Sequence, residues 1–527
     1  MRGSPSILAV LLASLLVLAD GTGAFTAEQP NATKAQESDA RASPSRDGEA
    51  VHEPVDGHGN GLLALLPRPV TTSHSIAANG RTLSYTATAG TLGLIGGNGD
   101  TIARMFYVAY DMKPAGDGSG LRPITFVFNG GPGAASAYLQ LGALGPRILR
   151  TGEDGQFLPP PQMIQDNPDT WLPMTDLVFV DPVGTGYSRP APGQKEDRFW
   201  GVKQDAAAMG AFIRRYLDET GRRGAPVYLV GESYGGFRAA LLARTLQEDD
   251  GIAPSGIFLI SPALDFSFVY GDDLLQWALT LPSMAAANLE RQGLHGTKLK
   301  AELAKVEHYA LTDYLTDLAA GLTEGGARAS ETVAGLTGLP LELVQRRYAR
   351  IPPEVFAREF DRTAGRVSSL YDVGITAPDI APESALLRSP DPVLDRSIPA
   401  VTSAFVQYVR EELNYRTPMS YKLLNTDVTK AWDYGTSATR QGYADAVDDL
   451  QKARALDPSM RILIANGLSD LVTPYSVTRY IVQHLPSLPG AAPIEIKTYE
   501  GGHMMYLRPD SRHALKEDAA QIFGRSP

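Results

Sequence analysis

The sequence of 527 residues contains no cysteine. The chain therefore cannot form a disulfide, a thiolate zinc site or a cysteine nucleophile. It has no run of lysine and arginine, and its net charge of −11 at pH 7 argues against a nucleic-acid partner. No HExxH pattern is present, and the eight histidines are scattered along the chain. We therefore expect neither a metal ion nor another cofactor.

A long hydrophobic run is missing as well. The N-terminal apolar stretch, residues 7–19, is shorter than the roughly 20 residues that a membrane-spanning helix needs. It follows a positive Met1-Arg2 and precedes small residues, the pattern of a secretory signal. We predict a signal peptide at residues 1–24 and an exported, periplasmic or secreted protein without membrane association after cleavage. An uncleaved anchor is the alternative. An exported chain without disulfides fits a bacterial cell best.

The rest of the chain divides by pattern. Residues 25–61 are polar and aperiodic, and are predicted to be a disordered leader. Residues 62–265 show antiparallel strand patterns and then buried strands alternating with helices, which indicates a mainly parallel sheet flanked by helices. Residues 266–431 carry helical patterns with glycine- and proline-rich joints, and residues 432–527 return to strand–helix alternation. We predict one α/β domain with a helical cap insertion; an unrelated helical domain is the alternative.

The most informative segment is Gly231-Glu232-Ser233-Tyr234-Gly235-Gly236. It lies between an apolar strand pattern at 227–230 and a helical pattern at 237–247. A strand, Gly-x-Ser-x-Gly and a helix together are typical of the nucleophile elbow of hydrolases. We therefore predict that Ser233 is a nucleophile at a helix N-terminus, where the helix dipole favours developing negative charge. A glycine-rich structural turn is the alternative.

A serine nucleophile needs a base, and the base needs a carboxylate that orients it. Five histidines follow Ser233, and His503 is the one in a glycine-rich loop directly after the last predicted strand, 494–498. Asp470 follows the strand before it, 461–464. The chain order serine, acid, histidine is that of α/β-hydrolases. We predict His503 as base and Asp470 as acid; a loop histidine and a helix-capping aspartate without catalytic roles are the alternatives.

The oxyanion of an acyl-transfer reaction needs two backbone N–H donors. One is expected from Tyr234, the residue after the nucleophile. The other is expected from the loop Asn129-Gly130-Gly131-Pro132-Gly133, which follows a predicted strand at 124–128. Glycines allow such a loop to turn its amides towards a substrate.

Four segments together resemble the motifs of the serine carboxypeptidases, a family with the α/β-hydrolase fold. They are the loop 129–133, Asp181-Pro182-Val183-Gly184-Thr185-Gly186-Tyr187-Ser188, the elbow 231–236, and the Asp470 and Gly502-His503-Met504 segments. The resemblance implies that the protein releases amino acids one at a time from the C-termini of peptides or proteins, through an acyl-enzyme on Ser233.

The resemblance also implies roles for further residues. Asn129, Glu232 and the Gly130 N–H would bind the terminal carboxylate of the substrate. The Gly131 N–H would complete the oxyanion hole, and Met504 would contact the substrate. Glu232 can bind a carboxylate only when protonated, because two carboxylates repel each other. This implies peptide hydrolysis at acidic pH.

The chain departs from the family pattern at several positions. Ala143 stands where the family has a glutamate that partners the one before the nucleophile, so Glu232 lacks one reason for a raised pKa. Smaller departures are Val127 for Trp, Ala134 for Cys and Met505-Tyr506 for Val-Pro. An esterase or acyltransferase with the same triad is therefore the alternative function. A non-catalytic binding protein on the same scaffold is the third.

Overall fold

The computed structural model describes residues 61–112, 121–158, 164–271, 273–435 and 442–524. The predicted signal peptide and all but the last residue of the predicted leader lie outside these residues. Among the described residues, no helix is long and apolar enough to cross a bilayer.

The strands are β1 Val70–Ala78, β2 Arg81–Ile95, β3 Thr101–Met112, β4 Ile124–Phe128, β5 Arg147–Leu149, β6 Ile164–Asp166, β7 Asp176–Val180, β8 Arg189–Pro190, β9 Val227–Glu232, β10 Pro254–Ile260, β11 Arg366–Ser368, β12 Thr376–Pro378, β13 Arg461–Gly467 and β14 Ile494–Tyr499. The α-helices are α1 Ala137–Leu139, α2 Val202–Glu219, α3 Tyr234–Asp249, α4 Ser267–Tyr270, α5 Leu274–Arg291, α6 Gly296–Tyr309, α7 Leu315–Ala319, α8 Glu324–Thr337, α9 Leu341–Arg346, α10 Pro353–Glu359, α11 Leu394–Glu411, α12 Thr426–Ala431, α13 Val447–Leu456, α14 Tyr475–Gln483 and α15 Pro509–Gly524. Short 3-10 and π turns lie at Gly61–Leu65, Gln140–Leu144, Glu196–Phe199, Ala310–Tyr314, Arg362–Ala364 and Met505–Leu507.

A ten-stranded sheet organises the molecule. Its order is β1-β2-β3-β7-β4-β9-β10-β13-β14, with β8 paired to β3. The first three strands form the antiparallel meander that the alternating pattern predicted. From β7 to β14 all neighbours are parallel. This order, with the glycine-flanked serine directly after β9, is the predicted α/β-hydrolase fold, which is confirmed.

Each central strand supplies alternate side chains to two hydrophobic cores. In β9, Tyr228 and Val230 lie in the core that contains residues of α11 and α15. Val227 and Leu229 lie in the core on the opposite face, with residues of α2, α3 and α13. Burial on both faces explains why these strands are continuously apolar in sequence.

The helices between β10 and β13 fall into two groups. Helices α5 to α10 enclose a third hydrophobic core. Leu471 and Tyr475, from the segment after β13, also belong to this core. Helix α11 instead packs on the sheet through Phe405 and Tyr408. The predicted insertion therefore contains a helical bundle with its own core and a later segment that lies on the α/β core.

The loops that follow the parallel strands gather at one edge of the sheet. Ser233 follows β9, Asn129 follows β4, Asp470 follows β13 and His503 follows β14. Ligands of open α/β sheets bind at this edge, beyond the carboxyl ends of the strands. The fold thus brings residues from widely separated parts of the chain to one place.

Candidate active site

The turn between β9 and α3 holds Ser233 in a conformation that is rare for a residue with a side chain. Its φ is 58° and its ψ is −123°, outside the regions that L-residues ordinarily occupy. A Cβ at position 231 would lie 1.9 Å from the carbonyl oxygen of Gly235, so the turn requires glycine there. The Ser233 N–H donates to the Ile260 carbonyl at 2.9 Å. This is the strained geometry that presents a nucleophile to substrate.

His503 and Asp470 are in hydrogen-bond contact. Nδ1 of His503 lies 2.8 Å from Oδ2 of Asp470, and both side chains are buried. Oδ1 of Asp470 accepts hydrogen bonds from the N–H groups of Val472 at 2.8 Å and Thr473 at 3.0 Å. These backbone donors fix the carboxylate with its other oxygen facing the imidazole.

Burial and charge act in opposite directions on His503. Burial lowers the pKa of the imidazole because it disfavours the cation, whereas the Asp470 carboxylate and, further away, Glu232 raise it. The attraction prevails, so the pKa of His503 lies above the ordinary value of 6.5. An imidazole in this setting is stabilised once it has taken up a proton.

Thr473 contacts the Asp470–His503 pair through its hydroxyl group. Its Oγ1 lies 2.8 Å from Oδ2 of Asp470 and 3.0 Å from the carbonyl oxygen of Ser261. With a single proton, the hydroxyl donates to one of these oxygens at a time. Ser261 Oγ donates in turn to the His503 carbonyl at 2.9 Å. The end of β10 is thereby hydrogen-bonded to both loops. The sequence pattern gives no signal for these roles of Thr473 and Ser261.

The loop after β4 lies directly against the elbow. A Cβ on Gly130 would be 2.6 Å from the Tyr234 nitrogen and 2.8 Å from the Ser233 Cβ, so no other residue fits without displacement. Within the described part of the chain, neither the Gly131 N–H nor the Tyr234 N–H donates to a backbone carbonyl. Two N–H groups left available beside a serine are what an oxyanion hole requires.

Buried ionic side chains hold this loop in place. Arg238 donates to the Asn129 carbonyl at 2.7 Å and pairs with Asp205 at 2.6 Å. Asp181 accepts hydrogen bonds from the N–H and the hydroxyl of Ser136 at 2.9 and 2.8 Å. Asp181, from the motif Asp181–Ser188, therefore helps to position the loop after β4. Arg238 and Asp205 could not be recognised as supports from the sequence, because its pattern carries no signal for a contact between α2, α3 and this loop.

The side chain of Glu232 lies in a buried polar cluster. Asn129 Nδ2 donates to Glu232 Oε2, and Asn129 Oδ1 accepts from the Leu139 N–H at 3.0 Å, which fixes the orientation of the amide. The Tyr506 hydroxyl lies 3.0 Å from both oxygens of Glu232. The structure thus brings Asn129 and Glu232 together as predicted residues of one site. Tyr506 was noted in the sequence only as a departure from the family pattern.

Burial raises the pKa of Glu232 to about 7. The His503 charge and the hydrogen bonds from Tyr506 and Asn129 lower it, whereas Asp470 raises it. Ala143 removes one possible cause of a raised pKa, and burial supplies another, so the pKa of Glu232 is raised without a second carboxyl beside it. A carboxyl with such a pKa is partly protonated near neutral pH.

Met504 is buried and lines a cavity of about 10 Å³ together with Tyr371, Val393 and Leu507. That volume is too small for an amino-acid side chain, so the predicted contact of Met504 with substrate stays a prediction. A second cavity, of about 450 Å³, lies beside α3 and contains none of the predicted site residues. Among the described residues, no group of three histidine, aspartate or glutamate side chains could hold a metal ion.

Residues 86–254 match the family model of the serine carboxypeptidases. A carboxypeptidase Y homolog of Arthroderma benhamiae is 31% identical over 145 residues, which cover 27% of this chain and 27% of that protein. The pheromone-processing carboxypeptidase KEX1 of Komagataella phaffii is 32% identical over 145 residues, 26% of this chain and 20% of that protein. The matched segment spans less than a third of the length of these curated relatives. The matches confirm the resemblance of the chain to the serine carboxypeptidase family.

A solved structure with a related outline is proline iminopeptidase of Mycobacterium smegmatis. It is 14% identical, and the alignment covers 83% of this chain and 98% of that one with a TM-score of 0.34. A likeness at this level adds no support to the fold assignment, which the strand order carries.

Proposed function

We propose that the protein is a serine carboxypeptidase that releases C-terminal amino acids from peptides through an acyl-enzyme on Ser233. The observation that carries this proposal is the position of Glu232 and Asn129. These two side chains form a buried hydrogen-bonded pair directly before the strained Ser233 turn. An esterase needs the triad alone, whereas an enzyme that recognises a free terminal carboxylate needs such a pair beside it.

The bond-breaking steps follow from the triad. His503 takes the proton of the Ser233 hydroxyl while Oγ attacks the carbonyl carbon of the last peptide bond. The N–H groups of Gly131 and Tyr234 bind the oxyanion of the tetrahedral intermediate. Asp470 orients the imidazole and stabilises its cation. The intermediate collapses, the C–N bond breaks, and His503 gives its proton to the leaving amino group. Water then attacks the ester by the same route and restores Ser233.

Recognition of the terminal carboxylate follows from the second set of residues. A protonated Glu232 and the Asn129 amide, with the Gly130 N–H, donate hydrogen bonds to that carboxylate. The pKa of about 7 for Glu232 means that the required proton is present at acidic pH, is partly present near neutral pH and is lost above. Such polar contacts disfavour substrates that lack the carboxylate, because the donors of Glu232, Asn129 and Gly130 then face no anionic acceptor on the substrate.

Export to the periplasm or medium is part of the proposal, supported by the N-terminal signal pattern in the sequence. The expected mature chain lacks about the first 24 residues, the usual extent of such signals. Cell fractionation followed by N-terminal sequencing tests this. A cytosolic protein that retains Met1 would contradict it.

The activity is tested by mass spectrometry of purified protein incubated with paired peptides, one with a free C-terminal carboxylate and one amidated. We expect a ladder of single-residue losses from the free-acid peptide, little loss from the amide, and neither with Ser233→Ala. Cleavage of simple esters that depends on Ser233, without a ladder, would instead indicate the esterase alternative.

A further inference from the structure

Tyr506 contacts Glu232 directly, which the sequence did not indicate. It lies in the short 3-10 turn Met505–Leu507, three residues after His503. Its ring is fully buried, and its hydroxyl lies 3.0 Å from both oxygens of Glu232. These are ordinary hydrogen-bond distances for a hydroxyl and a carboxylate.

The π turn Gln140–Leu144 makes room for this ring. A Cβ at position 142 would lie 2.9 Å from Cε2 of Tyr506, so a side chain on Gly142 would push the ring away. Its neighbour Ala143 brings no ionisable group to the cluster. Gly142 and Ala143 on the π turn therefore leave the space that the ring of Tyr506 occupies.

Two donors consequently face the Glu232 carboxylate. One is the Asn129 amide, whose oxygen is already engaged by the Leu139 N–H. The other is Tyr506, and burial keeps its pKa well above 10, so the hydroxyl retains its proton throughout the working range. A tyrosine hydroxyl can also accept a hydrogen bond. It can therefore partner an ionised Glu232 as donor and a protonated Glu232 as acceptor.

The other titratable groups around Glu232 come from four elements. His503 and Asp470 lie in the loops after β14 and β13, Tyr138 in α1, and Tyr371 between β11 and β12. Burial raises the pKa of both tyrosines, so they stay neutral. The pKa of His503 is raised above its ordinary value because the attraction of Asp470 outweighs burial, and protonation of this base at low pH gives the acidic limb of activity.

We propose that Tyr506 is a positioning residue that holds Glu232 in place for the terminal carboxylate of the substrate and offers it a hydrogen-bond partner in either protonation state. The inference rests on the proposed carboxypeptidase function. Because the donated hydrogen bond favours the ionised form of Glu232, Tyr506 also lowers the pH above which recognition of the carboxylate fails.

The test is the pH dependence of kcat/KM for a free-acid peptide in wild type and Tyr506→Phe. We expect the alkaline limb of the variant to move to higher pH by about one unit, the shift that follows from removing one hydrogen bond to a charged group. The matched control is Tyr314→Phe, which removes a buried hydroxyl bonded to the Ala349 carbonyl in the helical bundle. The limb of that variant should coincide with wild type.

A Tyr506→Phe limb that coincides with both wild type and Tyr314→Phe would overturn the inference while leaving the proposed function intact. Wild-type protein that cleaves free-acid and amidated peptides equally at every pH would overturn both. If Tyr506→Phe does not fold, 3,5-difluorotyrosine at position 506 replaces it. Its more acidic hydroxyl donates a stronger hydrogen bond, so the limb should move to lower pH, and an unmoved limb would again overturn the inference.

Discussion

The two polar clusters beside Ser233 are assembled in different ways. Asp470 is fixed by N–H groups two and three residues further along the chain, and its partner His503 follows the next strand of the sheet. Glu232 is instead held by Asn129 and Tyr506, which are 103 and 274 residues away in sequence. The contacts that fix Asp470 and its partner His503 are thus local or join neighbouring strand ends. The carboxylate cluster depends on long-range packing, so each cluster can be changed without the other.

The most damaging change should affect both kinds of substrate. Ser233→Ala removes the nucleophile, and we expect turnover of free-acid peptides and of simple esters to fall by roughly four orders of magnitude or more. Steady-state kinetics measure this, and circular dichroism checks that the fold is retained. Turnover within about tenfold of wild type would contradict the role of Ser233.

Asp470→Asn attacks the triad while preserving its backbone contacts. The amide oxygen can still accept from the Val472 and Thr473 N–H groups, but an amide facing the imidazole favours the wrong tautomer. We expect kcat to fall by about 10³ to 10⁴ on both substrates, as in serine hydrolases generally. A loss confined to free-acid peptides would show that Asp470 belongs to recognition instead.

Glu232→Gln should change activity towards free-acid peptides without changing ester hydrolysis, and so distinguishes the two clusters. The amide keeps a donor for the substrate carboxylate at every pH, so the alkaline limb that the Glu232 pKa of about 7 imposes should disappear. Activity towards free-acid peptides above that pH should then exceed that of wild type, and ester hydrolysis should change little. The measurement is kcat/KM against pH for both substrates. Persistence of the limb in the variant would assign it to another group.

Thr473→Val should give the smallest effect. It removes one hydrogen bond, to the Asp470 carboxylate or to the Ser261 carbonyl. Such a bond contributes about 0.5–1.5 kcal/mol with a neutral acceptor and about 1.5–3 kcal/mol with a charged one, or about 2- to 150-fold in rate. The loss should be equal for free-acid peptides and esters, and Thr473→Ser should restore the rate. A loss seen with free-acid peptides alone would place Thr473 in the recognition cluster.

The contrast between local and long-range contacts also explains which features the sequence could predict. The strand before Ser233, the glycines around it and the order of serine, acid and histidine are local signals, and the α/β-hydrolase fold follows from them. The predicted ends of strands differ from the observed ends by a few residues. Strand β13, for example, was predicted to end at residue 464 and continues to Gly467. Helix α8 was not predicted, because three glycines interrupt its pattern.

The contacts around Glu232, the proposed recognition cluster, could be found only from the structure. Nothing near Tyr506 in the sequence indicates a contact with Glu232, since the contact arises from the way the turn 505–507 packs on Gly142. The sequence likewise showed only that one possible cause of a raised Glu232 pKa, a glutamate at position 143, is missing. The cause that raises this pKa is burial, which depends on the whole fold.

The central claim is that bond cleavage and recognition of the terminal carboxylate depend on different groups of residues. The most direct test measures kcat/KM of the wild-type protein from pH 5 to 9, for a free-acid peptide and for a matched ester without a carboxylate. Both rates should fall at low pH, where His503 is protonated and cannot act as a base, because its pKa is raised. Only the free-acid peptide should fall again above about pH 7, where Glu232 ionises and repels the substrate carboxylate. A constant ratio of the two rates across this range would contradict the account.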